Sequence, residues 1–201
     1  MFRFDNILEQ WAIHYKPLSH DPAADAKRRA FYRIDTINSN NEFVQSHNIA
    51  HSPCMAYSTL IDASLARGNN KLISYRHAIY FLVKQPAPKN NAKTTINDAM
   101  EATEAKFDAD NLVQDLLAFL YALKDEVRRN TPSSIVTNDS TIVERLAAEM
   151  STDERKAFAG LKLDDAEWGT MPVRYNQWWI CGLEIEQLVP RNLCVIEERY
   201  K

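Results

Sequence analysis

Residues 72–84, LISYRHAIYFLVK, carry no glycine or proline and are rich in β-branched and aromatic side chains, so they read as a long strand. Alternation puts Ile73, Tyr75, His77, Ile79, Phe81 and Val83 on one face and Leu72, Ser74, Arg76, Ala78, Tyr80, Leu82 and Lys84 on the other. Both faces are substantially apolar. A strand from a sheet covered on one side only should alternate more cleanly. The fold must therefore close two faces of this strand, either with its own elements or with a neighbouring subunit.

The end of the chain repeats the pattern. Residues 168–175 and 178–189 read as strands around an Asn176-Gln177 turn. In the second, Trp179, Cys181, Leu183, Ile185 and Val189 oppose Trp178, Ile180, Gly182, Glu184, Glu186 and Leu188, and Pro190 ends it. Residues 54–62, CMAYSTLID, supply a hairpin partner for 72–84. The loop between them contains Arg67-Gly68-Asn69-Asn70, and its Gly-Asn step suits a tight connection. A short strand is expected at Phe31–Ile37 and an edge segment at Leu193–Ile196.

Helices account for the rest. Phe4, Leu8, Trp11 and Tyr15, with Ile7, form one apolar stripe that Asp5 opens and Pro17 stops. Residues 18–29 read as a loop or short turn. Ser39 and Glu42 make a capping box for a short helix to about Asn48. After the breaker-rich 85–93, Thr94 or Thr95 caps the longest helix, about Ile96–Arg128. Val113, Leu116, Leu117, Leu120, Leu123 and Val127 give its second half a buried face. Its first half is acidic, with Met100 and Phe107 the main apolar exceptions, and is expected to project or to bear on a neighbour. Thr141 with Glu144 and Ser151 with Glu154 open two short helices, and Gly160 closes the second. The order predicts a single α+β domain over 1–201: a mainly antiparallel sheet built from two hairpins, with a long helix and shorter helices packed on it.

A chain of 201 residues buries roughly 70% of its unfolded surface and needs no disulfide or metal to fold. A net charge of -3 removes the electrostatic footprint of a dedicated nucleic-acid binder, so no sequence-specific nucleic acid is expected. Cys54, Cys181 and Cys194 lie far apart without a C-x-x-C pair, as reduced thiols do. The segment MFRFDNILEQWAIHYK has no long apolar core and carries Asp5 and Glu9 early, unlike a signal peptide. No membrane partner is expected.

Few residues carry chemistry. His47, His51 and Cys54, in HNIAHSPC, have metal-like spacing, but Ser52-Pro53 interrupts any helix that would align them. The plainer reading makes His47 a helix-end residue and Cys54 a small core residue. A zinc deaminase would need a second cysteine where Tyr57 stands, and an H-x-E that is absent. Ser58 and Ser74 sit in strand interiors without a G-x-S-x-G elbow, and Gly68, Gly160, Gly169 and Gly182 form no phosphate-cradling loop. Glu101, Glu104, Asp108, Asp110, Asp153 and Glu154 read as solvated helix faces. Asp164-Asp165 with Glu167 lacks the rhythm of a calcium loop. The basic runs Lys27-Arg28-Arg29 and Arg128-Arg129 are short. No catalytic, cofactor-binding or metal-ligating residue is expected, and the chain reads as a non-enzyme.

An N-terminal helix, hairpin strands CMAYSTLID and LISYRHAIYFLVK, one long helix and a closing hairpin ending in WWICGLEIEQLV form a recognisable order. It resembles that of the tail terminator and tail-completion (neck) proteins of long-tailed phages and contractile injection systems. The resemblance covers most of the chain, with residues 130–165 an addition relative to smaller members. It implies a structural subunit without catalytic residues. Such subunits self-associate into a ring, commonly hexameric, and contact tail-tube, sheath or neck proteins. Assembly would take place in the bacterial cytoplasm, and the mature location would be a virion or tail-like particle. Two other classes stand beside it: a small metal-dependent or hydrolytic enzyme using His47, His51, Cys54 or His77, and a regulatory protein-binding module.

Overall fold

The N-terminal stripe forms helix α1 (Phe4–His14), with Phe4, Ile7, Leu8, Trp11 and Ala12 buried. The computed structural model describes residues 3–34, 51–58, 64–65, 72–84, 96–129, 140–173 and 178–190. Strands β1 (Phe31–Ile34), β2 (Cys54–Ser58), β3 (Ser64–Leu65) and β4 (Leu72–Lys84) follow α1. Helix α2 (Ile96–Arg129) has 34 residues and is therefore about 50 Å long. Short helices α3 (Ile142–Glu149) and α4 (Thr152–Ala159) lead into strands β5 (Leu161–Val173) and β6 (Trp178–Pro190). Both short helices start with the capping boxes that their sequences announce, Thr141 with Glu144 and Ser151 with Glu154.

The sheet runs β1-β2-β4-β6-β5, with β3 beside β4. β4 and β6 pair antiparallel over their full length, from Leu72 opposite Pro190 to Lys84 opposite Trp178. This register keeps the two faces read from alternation: Phe81 lies beside Cys181, and Leu82 beside Ile180. On the other edge of β4, β2 pairs with residues 78–82 and β3 with residues 73–74. The architecture is α+β.

The mainly antiparallel sheet is present with one parallel pair, and one strand boundary changes. β1 runs parallel to β2, with Phe31 opposite Met55 and Ile34 opposite Ser58, so the sheet is mixed. The stretch between Ile34 and Cys54 is long enough for the crossover that a parallel pair requires. β5 begins at Leu161, not Trp168. Leu161 and Lys162 pair with Gln187 and Glu186, the register shifts, and pairing resumes at Glu167 opposite Glu184. The unpaired residues 163–166, with Asp164 and Asp165 among them, interrupt the alternation that would mark the strand's start. Gly160 caps α4 as expected, but at φ -75°, a conformation open to any residue. Its value lies in space: a Cβ there would sit 2.0 Å from the Leu188 carbonyl oxygen. The Leu188 N–H donates to the Gly160 carbonyl at 2.9 Å, so β6 passes directly against the helix end.

The main core lies between one sheet face and the helices. Ile79, Phe81, Cys181 and Leu183 meet Leu8, Trp11, Val113, Leu116, Leu120 and Leu123 there. Arg155 of α4 is buried with it and donates to the carbonyls of Met150 (3.1 Å), Val127 (3.3 Å) and Ala147. These carbonyls end α2 and α3, where the helix dipoles favour a cation. No described helix is long and apolar enough to cross a membrane. The expected short helix to Asn48, the Arg67–Asn70 loop, residues 85–93, the Asn176-Gln177 turn and the Leu193–Ile196 segment lie outside the described residues.

Candidate functional site

His51 and Cys54 do not assemble a metal centre with the other described residues. His51 is half-buried, and its Nε2–H donates to the Leu18 carbonyl at 3.0 Å. Cys54 is fully buried, and burial pushes its thiol far above the usual range, which keeps it protonated and unreactive. His47 lies outside the described residues. Among the described residues no group of three or more His, Cys, Asp or Glu could hold a metal ion.

His77 has a different task. Its ring is buried, 4.8 Å from Phe4, with Nδ1 2.8 Å from the Tyr57 hydroxyl and Nε2 2.9 Å from Gln187 Oε1. The Gln187 amide nitrogen donates to the Ala157 carbonyl at 2.8 Å, which leaves its oxygen to accept. His77 therefore carries its proton on Nε2, and Nδ1 accepts from Tyr57. One neutral tautomer satisfies every member of this network. Burial lowers the His77 pKa and raises that of Tyr57, both away from charge. The arrangement ties β2, β4, β6 and α4 together and leaves His77 with both nitrogens occupied.

The second face of β4 is closed over half its length. Tyr32, Ile34, Cys54, Ala56, Leu82, Trp178 and Ile180 form a separate buried cluster, with Leu82 at 0% and Trp178 at 2% exposure. Tyr32 donates its hydroxyl to the Ala26 carbonyl at 2.8 Å, and burial pushes its pKa up to about 12. A neighbouring subunit is not needed to cover this half. The other half is polar. Ser74, Arg76, Asp165, Glu167, Glu184 and Glu186 line a groove of about 360 Å³. Within it Lys162 pairs with Glu186 at 2.7 Å and Ser74 donates to the same carboxylate. These two partners, Lys162 first, hold the Glu186 pKa below the usual range.

The exposed apolar surface lies elsewhere, along the seam of α2 and β5. Among the described residues the exposed large hydrophobics are Phe107 (59%), Trp168 (47%) and Tyr121 (40%). Phe107, Asp110, Gln114 and Tyr121 fall on one helical stripe. That stripe faces β5: Trp168 Nε1–H donates to Asp110 at 3.0 Å, and the Tyr121 hydroxyl donates to Asp164 at 2.7 Å. Trp168 and Tyr121 therefore lie along the α2–β5 seam, and Phe107 lies on the same helical stripe about 21 Å from Tyr121. Glu104, Asp108 and Asp164 are exposed along it, with Lys106, Lys124 and Arg128 as cations on the same helix, while Asp165 and Glu167 line the polar groove of the second face. β5 is an outermost strand of the sheet, and among the described residues no strand pairs with its far edge.

Phe107 was visible in the sequence as an apolar residue on an acidic helix face. Trp168 was not, because its exposure follows from the place of β5 at the margin of the described sheet. No protein-family model matches the chain, and a search of curated proteins finds no match.

Proposed function

We propose that this chain is a structural subunit that acts by packing against other protein chains, at a terminator, completion or neck position of a phage tail or tail-like particle. The observation that carries the reading is the exposure of Phe107, Trp168 and Tyr121 along α2 and β5, beside a strand edge that no described strand pairs. Aromatic residues are the preferred anchors of protein interfaces, and exposed apolar clusters mark contact surfaces. The order of elements, with a long helix between two hairpins, supports the tail assembly in particular. Nothing in the flank's chemistry recognises a small substrate.

Light scattering on the purified protein, alone and mixed with tail-tube protein, tests the reading. Association is expected in at least one case, and Phe107→Ser with Trp168→Ser should weaken it. A protein that stays strictly monomeric in both, or that carries stoichiometric zinc by elemental analysis, would overturn it.

A further inference from the structure

Where the dry half of the second face gives way to the polar half, two adjacent rows of residues are not explained by the chain's own packing. The first is Tyr80, Gly182 and Gly169, opposite one another on β4, β6 and β5. Glycine weakens a strand and marks a bulge, a bend or the close approach of a ligand or another backbone. Neither glycine has a left-handed φ, and neither is crowded. A Cβ on Gly182 would make an ordinary contact with the Tyr80 ring at 3.4 Å, and one on Gly169 would meet nothing within 4 Å. The two form a strip of bare backbone with the half-buried Tyr80 as its wall. The next row is Ala78, Glu184 and Glu167. Here two exposed glutamates stand directly opposite each other, and like charges so placed destabilise a sheet. Arg76 answers Glu184 at 3.8 Å, and Lys162 answers Glu186 at 2.7 Å and lies within range of Asp165. Glu167 is the carboxylate of the groove left without a hydrogen-bond or ion-pair partner among the described residues.

We propose that this face takes an arginine side chain from another protein chain. Its stem lies on the Gly169–Gly182 strip against Tyr80, and its guanidinium sits between Glu167 and Glu184. The proposal rests on the packing function above and names the chemistry of one partner contact. Successive rows on one face of a sheet are about 6.8 Å apart, a span that an extended arginine side chain covers. Its planar fork donates to two carboxylates at once, and an aromatic ring beside it adds a favourable contact. A lysine would bring one charge without the fork. A side chain at position 169 would fill the space that the stem needs, which gives the glycine there a use.

NMR titration of the full chain in low salt tests the site. The probe is acetyl-Gly-Arg-Gly-amide, and its citrulline analogue, uncharged and nearly the same shape, is the control. Saturable amide shifts are expected at Glu167, Gly169, Gly182 and Glu184 with the arginine peptide and none with the citrulline one. Added salt should weaken binding. Glu167→Gln, at an exposed position, should weaken it about tenfold. Gly169→Val should abolish it without lowering stability to urea, since the new side chain meets nothing in the chain itself. An absence of shifts at these amides, equal binding of the citrulline peptide, or a Gly169→Val protein that binds like wild type would each overturn the site. Spermidine that displaces the peptide with equal affinity would make the groove a site for small cations and overturn it as well. The light-scattering test at Phe107 and Trp168 is separate, so a failed titration leaves the packing function standing.

Discussion

The two faces of the sheet share their strands and differ in what they ask of the surroundings. On the helix side, Ile79, Phe81, Cys181 and Leu183 continue into one core with α1 and α2. On the other, Leu82, Ile180 and Trp178 close a small cluster at one end, while Arg76, Glu184 and Glu186 hold the other end in water. The same thirteen residues of β4 therefore run along a dry face and a divided one. An apolar residue on a strand's second face does not mark a docking surface; its neighbours across the ladder decide. Leu82 sits beside Cys54 and Ile180 and is dry, whereas Arg76 sits beside Glu186 and is wet.

The sharpest way to break this comparison is to truncate one large ring on each face. Phe81→Ala and Trp178→Ala should each destabilise the isolated protein by about 3–5 kcal/mol, measured by urea unfolding, because both rings are fully buried. If only a partner completed the second face, the loss at Trp178 would shrink to within about 1 kcal/mol while Phe81 kept its full effect. A smaller loss is expected at the junction of α4 with β6. Gly160→Ala places a methyl against the Leu188 carbonyl, and backbone must move to admit it. A cost of about 1–3 kcal/mol is expected in the same assay. Gly160→Ala that unfolds like wild type would mean that α4 and β6 separate without penalty.

The helix-side face contains the polar network, and pH separates it from its apolar surroundings. Folding keeps His77 neutral: burial lowers its pKa from the ordinary histidine value of about 6.5. Below 6.5 the unfolded chain takes up a proton that the folded chain refuses. The contribution of His77 is thus complete above that pH and declines as pH falls toward the folded pKa. His20, also buried with a lowered pKa, acts in the same direction. His77→Gln should lose about 1–3 kcal/mol at neutral pH, because Tyr57 and Gln187 lose a matched partner. Its stability should also fall less steeply between pH 7 and 5. Equal slopes for variant and wild type would show that His77 does not remain neutral in the folded state.

Alternation made both faces of β4 and β6 legible, because the pleat fixes side-chain direction whatever the strand's neighbours are. The helices were legible from periodicity and from Thr141, Glu144, Ser151 and Glu154, whose capping signals act within a single turn. Parallel pairing of β1 was not, since it depends on a crossover rather than on any residue of Phe31–Ile34. The start of β5 was hidden by its own register shift. The closing of the second face was also beyond alternation, because it turns on which strand lies beside which. Phe107 alone pointed to the exposed seam, and one residue could not show that Trp168 and Tyr121 would join it.

The smallest expected effect lies at the wet end of the second face. Arg76 and Glu184 pair at 3.8 Å, with side chains 65% and 55% exposed. Solvent screens such a pair, and holding two long side chains together costs entropy, so little net stability remains. Arg76→Ala should shift unfolding by no more than about 0.5 kcal/mol, where Trp178→Ala on the same face costs several times that. If Arg76→Ala cost as much as Trp178→Ala, the groove it lines would belong to the folding core. The division of the face into dry and wet halves would then be wrong. A null result would instead assign the polarity of this half to solubility: charged side chains keep the open sheet surface between β4 and β6 from sticking to other sheets.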